Sequence, residues 1–131
     1  MARHALTGKL VSGLGEGAGF TRMQWARRQF VDLLGIDPYP GTLNLLVEDE
    51  ADLETWRAIR KQAGLTVAPP EPGWCNGTCY PAMVGGAIKG AIVVPEIADY
   101  PTGKIEIISE TKLREALGLV DGDPVTLEVE A

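Results

Sequence analysis

Cysteine and histidine are scarce in this sequence: Cys75, Cys79 and His4 are all it has of either. A single C-x3-C pair falls short of the four ligands of a structural zinc site, and His4 is too remote to assume as a third. A short-loop disulfide would be unusual in a reducing compartment, so the pair reads as two small strand residues flanking the Asn76-Gly77 turn. Long apolar runs are missing too. None approaches the roughly 18 residues of a membrane span, and "MARHALTGKL" at the start has no following apolar stretch of the kind a signal peptide needs. A cytoplasmic location is the default expectation. Positive charge is also in deficit, with 12 Lys and Arg against 18 Asp and Glu, a net charge of −6. That balance argues against broad binding of nucleic acid or anionic membranes. An anionic ligand can still be held locally, by backbone N–H groups, a metal ion and a few placed cations.

What is present suits one soluble domain over residues 1–131, with 45% hydrophobic and 23% charged residues. Residues 7–12 are strand-like and lead into a glycine loop. The spacing of Met23, Ala26, Phe30, Leu33 and Leu34 predicts an amphipathic helix over 21–35, with Thr21 as its cap and Gly35 as its stop. Strand periodicity follows at 42–48. A second helix is expected over 51–63, with Leu53, Trp56 and Ile59 or Arg60 on one face. The proline-rich 67–74 reads as an extended connection, and 75–95 as two or three strands divided by Asn-Gly and Gly-Gly turns. A strand at 103–109, a short helix at 110–119, a turn at 120–123 and a strand at 124–130 complete the chain. Short strands without a βαβ rhythm predict a mainly β fold with short helices, a small barrel rather than a doubly wound sheet.

Three stretches carry chemistry. "GLGEGAG" (13–19) lacks the lysine of a P-loop and the context of a dinucleotide fingerprint, yet consecutive N–H groups before a helix can cradle an anion. As the alternative it is a flexible turn. In "PYPGTLNL" (38–45), Thr42 and Asn44 are two apart on a strand and so share a face. Two neutral oxygens there suit Mg²⁺, which keeps several waters and takes other ligands from phosphates; a capping Thr and a turn Asn are the plainer account. In "IEIISETKLREALGLVDGD" (105–123), Glu106 faces opposite to Ile105 and Ile107 and either lines a cavity or meets solvent. The following helix start, with Lys112 and Arg114, offers N–H groups and cations to a nucleotide, or is simply a capped amphipathic helix with Leu113 and Leu117 inward.

Taken in order, "VSGLGEGAGF", "YPGTLNL", "GAIVVP", "IEII" and "KLREALGLVDGDPV" resemble the archaeal-type, CTP-dependent riboflavin kinases, from about Gly8 to Val129. The resemblance implies a six-stranded cradle-loop (RIFT-related) barrel and Mg²⁺-assisted transfer of the CTP γ-phosphoryl group to the riboflavin 5′-hydroxyl, giving FMN and CDP. It implies nucleotide contacts at Leu14, Gly15, Glu16, Gly17, Ala18 and Gly19, and again at Thr111, Lys112, Leu113 and Arg114. It further implies Mg²⁺ on Thr42 and Asn44, and flavin contacts at Glu106, the candidate catalytic group, and at the position of Ala98.

Two positions depart from the family pattern. Ala98 stands where a threonine typically contacts the flavin, a loss of about 1 kcal/mol if one hydrogen bond is missing. Glu110 stands where proline is frequent. A non-catalytic flavin- or nucleotide-binding barrel is the alternative reading. A small interaction module is another, disfavoured by the acidic charge. Nothing in the pattern specifies an oligomeric state.

Overall fold

A computed structural model of the chain describes residues 3–11, 23–70 and 75–131. Among these the strands are β1 (Arg3–Val11), β2 (Leu43–Leu46), β3 (Leu65–Val67), β4 (Gly77–Val84), β5 (Ile88–Pro95), β6 (Lys104–Ile108) and β7 (Pro124–Glu130). The helices are α1 (Gln24–Leu34), α2 (Glu50–Arg60) and α3 (Leu113–Ala116). Every strand pairing is antiparallel. Six strands close a ring in the order β1-β2-β6-β5-β4-β7, with β7 returning to β1. The expected six-stranded barrel is therefore the observed one.

Its closure rests on a division of labour along β4. One edge of β4 pairs with β5 over its full length. On the other edge Ala82–Val84 meet β7, while Gly77–Cys79 meet the short β3. Pro81 falls in the gap between those two ladders, where its missing N–H breaks neither. The strand β3 is not legible in the sequence, which puts Val67 at the start of a proline-rich connection. The Asn-Gly turn expected between the cysteines is also absent. Gly77 opens β4, Cys79 lies buried within it, and Cys75 precedes it; both thiols are free. Burial pushes the Cys79 thiol up to about 12.

The barrel interior follows from period-two alternation. Leu6 and Leu10, Leu43 and Leu45, Ile105 and Ile107, and Val125, Leu127 and Val129 all point inward and form one cluster. Gly8, between Leu6 and Leu10, lies so close to β2 that a Cβ there would stand 2.9 Å from the Leu45 Cβ. A larger residue would push the central leucine aside.

Opposite-facing residues build a second core. Ala91, Val93 and Ile108, with Val67 and Cys79, receive Ala26, Phe30 and Leu34 from α1. Each large side chain buried this way contributes about 1.5–3 kcal/mol. Leu33, expected on the apolar face, is exposed, because the stripe runs through Ala26, Phe30 and Leu34 instead. The helix begins at Gln24 after Met23, later than expected, and Thr21 lies outside the described residues. It stops at Gly35 as expected, in a left-handed conformation (φ 67°), with Ile36 N–H donating to the Phe30 carbonyl. Gln29 exchanges two hydrogen bonds with the backbone of Ala68, which ties α1 to the end of β3.

The helix α2 covers the far end of the barrel. Asp49 caps it by accepting the Asp52 N–H, and Trp56 and Ile59 enter the inner core. Asp52 also accepts the Thr7 N–H of β1 at 3.2 Å. Arg60 donates to Tyr80 Oη at 3.1 Å and to Glu96 Oε1 at 2.9 Å, and Thr78 donates to the same Glu96 oxygen. Burial by itself would raise the Glu96 pKa; the hydrogen bonds from Thr78 and Arg60 outweigh it and hold the carboxyl below its ordinary value.

Candidate active-site cleft

At the other end of the barrel β1 finishes, β2 begins and β6 finishes. Where those three ends meet, a cleft of about 380 Å³ opens. Its described lining comprises Leu10 and Val11, the Tyr39–Asn44 segment, Ile107, Ser109, and Thr111 through Arg114. Two stretches singled out in the sequence, 70 residues apart, are thus opposite walls of one cavity.

The first wall is the turn before β2. Pro40 and Gly41 deliver the chain into the strand, Gly41 with φ 112°, a conformation that side-chain-bearing residues rarely adopt. Thr42 and Asn44 then share a face as their spacing predicts. Thr42 Oγ1 donates to Asn44 Oδ1 at 3.0 Å. Neighbouring oxygens of an octahedral shell at the Mg–O distance of about 2.1 Å stand roughly 3.0 Å apart, so this pair fits two adjacent corners of such a shell. The pair is neutral, and among the described residues no group of three or more His, Cys, Asp or Glu could hold a metal ion. Any divalent ion here would need its remaining ligands from water and phosphate.

The second wall is the start of α3. Lys112 occupies the N-cap position, and no side chain caps the first turn. Leu113 is buried in the inner core and anchors the segment at the cleft wall. Lys112 pairs with Glu115 at 3.2 Å and Arg114 with Asp121 at 2.7 Å. Exposed pairs of this kind contribute about 0–1 kcal/mol, so a polyanion can displace the carboxylates at small cost. Glu110 does not cap this helix. It accepts the Asp37 N–H at 3.4 Å and so braces the segment leading to Tyr39.

Glu106 sits on the middle of β6, opposite Asn44 of β2 and Val93 of β5. It is fully buried and does not line the cleft. Tyr100 Oη donates to its Oε2 at 2.6 Å. The sequence offered a cavity wall or solvent for this carboxylate; the structure gives a third answer, a buried acid held by a tyrosine. Ala98 is exposed in the turn after β5, and Thr102 is exposed near the start of β6. Neither lines the cleft. Leu14, Gly15, Glu16, Gly17, Ala18 and Gly19 lie outside the described residues; Val11, at the cleft, is the last described residue before them. Ser109 and Tyr100 were missed. Ser109 stood inside a quoted motif and Tyr100 outside them, and only their hydrogen bonds single them out.

The family model named for CTP-dependent riboflavin kinases, described as domain of unknown function DUF120, matches residues 10–129. The chain belongs to the CTP-dependent riboflavin kinase family. Among curated relatives, a riboflavin kinase of Saccharolobus solfataricus is 40% identical over 129 residues, covering 95% of this chain and 73% of its own length. Riboflavin kinases of Methanocella arvoryzae and Pyrobaculum arsenaticum are 42% and 38% identical, over 56% and 60% of their lengths. The chain thus spans little more than half the length of several riboflavin kinases it matches. No helix among the described residues is long and apolar enough to cross a membrane.

Proposed function

We propose that the protein is a CTP-dependent riboflavin kinase that converts riboflavin and CTP to FMN and CDP, acting in the cytoplasm as one domain over residues 1–131. The observation that carries this reading is the cleft, where the Thr42–Asn44 oxygen pair faces the Thr111–Arg114 segment across one cavity. Phosphoryl transfer asks mainly for positioning and for neutralisation of charge on the moving group. The riboflavin 5′-oxygen attacks the γ-phosphorus, and the bond from that phosphorus to the β–γ bridging oxygen breaks. Its electron pair leaves with CDP.

Thr42 and Asn44 are the residues that would hold Mg²⁺, which when bound offsets phosphate charge as a Lewis acid. The backbone at Lys112–Arg114 and the glycines of 14–19 receive phosphate oxygens, with Lys112 and Arg114 adding positive charge. Glu106 orients the ribityl chain and takes the proton of the attacking hydroxyl, which requires Tyr100 to share or release it as the flavin enters. CTP as donor is supported by the family, not by any group in the cleft that reads cytosine.

Incubation with riboflavin, Mg²⁺ and each nucleoside triphosphate tests the reading: FMN should form with CTP, and its absence with every donor sinks it. Glu106→Gln should lower turnover at saturating riboflavin by about 10²-fold or more if the carboxylate is the base; near-native turnover removes that role. One observation favours a second reading, a barrel that binds flavin or nucleotide without transfer. Glu106 is already buried and engaged, and Ala98 offers no side-chain polar atom. Binding of both ligands without FMN formation would select it.

A further inference from the structure

Ser109 is the residue at which the two walls of the cleft are joined. It follows directly on β6, is 4% exposed, and lines the cavity. Its Oγ donates to the Lys89 carbonyl of β5 at 2.9 Å and accepts the Thr111 N–H at 3.3 Å. Its own carbonyl accepts the Tyr39 N–H at 2.7 Å. One buried serine therefore ties together a barrel strand, the first residue of the 111–114 segment and the chain that delivers Thr42 and Asn44.

The neighbouring side chains explain why this matters more for alignment than for folding. Leu113 keeps the second wall attached through the core, whatever happens at Ser109. Thr111 and Lys112, by contrast, are exposed; the Lys112 carbonyl is held by the Glu115 and Ala116 N–H groups, so the Thr111 peptide is the part that Ser109 orients. Removing the hydroxyl leaves the Lys89 carbonyl short of a donor and the Thr111 N–H without an acceptor. The segment stays docked, and its peptide planes lose their reference to the Thr42–Asn44 pair.

We propose that Ser109 is a positioning residue for the nucleotide: its hydroxyl sets the 111–114 backbone at the spacing from Thr42 and Asn44 that a triphosphate with its divalent ion spans. This rests on the reading of the cleft as the nucleoside triphosphate site. It predicts a defect confined to one substrate. A flavin held along Glu106 does not touch the hydrogen bonds that Ser109 makes, so its affinity is preserved.

Calorimetric titration with CTP and Mg²⁺, alongside riboflavin binding followed by flavin fluorescence, tests this on the full chain. Ser109→Ala should weaken CTP binding about five- to tenfold, the scale of one lost hydrogen bond with its unsatisfied partner. Riboflavin affinity should stay within about twofold. Ser109→Thr, which keeps the hydroxyl, should restore CTP affinity. If the added methyl prevents folding, Ser109→Cys serves instead: it keeps the volume with only a weak donor and should show the alanine defect. Native CTP affinity in Ser109→Ala overturns the inference, as does equal weakening of both substrates. Wild-type protein that binds no CTP removes the reading of the cleft and the inference with it. Wild-type binding with no change in Ser109→Ala removes the inference alone.

Discussion

The two ends of the barrel treat their polar groups in opposite ways. At the α2 end, Arg60, Tyr80, Thr78 and Glu96 are turned on one another, and Trp56 and Ile59 fill the space beneath them. At the cleft end, Thr42, Asn44 and Thr111 line a cavity of about 380 Å³, and among the described residues the cations beside them pair with exposed, replaceable carboxylates. A groove of about 300 Å³ exists at the α2 end too; on its wall Arg60 is tied to both Tyr80 and Glu96, while Arg57 makes an exposed pair with Glu50 like those at the cleft. One end uses polarity to fasten a helix, and the other keeps it for a ligand. Substitutions should accordingly cost stability at the first end and activity at the second.

The sharpest separation comes from Ile59→Ala. Ile59 is fully buried under α2, so the truncation should cost about 2–5 kcal/mol, read as a fall in thermal or urea midpoint. Activity per folded molecule should be unchanged; a large change in CTP affinity would break the comparison. Asn44→Ala should do the reverse. Activity at fixed Mg²⁺ should fall roughly a hundredfold, about 2.7 kcal/mol in the barrier, and the Mg²⁺ requirement should rise. An unchanged Mg²⁺ titration would count against Asn44 as a ligand.

Acid should also weaken the α2 end, with a smaller effect. The Glu96 carboxyl is held below its ordinary value, so its contribution to stability is present above the unfolded value of about 4.3. It is lost as pH falls through the lower folded value. The pair is largely exposed and screened, so the contribution is under about 1 kcal/mol. Glu96→Gln should flatten the stability profile below about pH 4.3 without altering riboflavin binding. A profile that keeps its slope would show that other carboxylates govern it. The smallest effect concerns the thiols. With its pKa pushed up to about 12, Cys79 should resist alkylation at pH 8 in the native protein. Mass spectrometry should show modification at Cys75 at most.

Much of the architecture was readable because alternation and capping are local. Leu127 and Val129 announce a strand by their alternation and Gly35 announces a helix stop, each from residues within a turn or two. The barrel class itself came from the absence of a βαβ rhythm. The misreadings share a cause. Val67 joins a strand only because β4 leaves Gly77–Cys79 unpaired by β7, and Leu33 is exposed only because of where α1 lands. Neither fact is local. At the site, the Thr42–Asn44 face was legible because side chains two apart on a strand must point the same way.

By itself the sequence determined most of the strands, the helix stop at Gly35, the oxygen pair and the family resemblance, since each depends on neighbours in the chain or on the order of motifs. Tertiary structure alone decided that β2 and the start of α3 face one cavity, that Glu106 is buried against Tyr100, and that Ser109 joins the two walls. Those outcomes depend on how six strands close into a ring. Ring closure is a condition on the whole chain, and no short stretch encodes it.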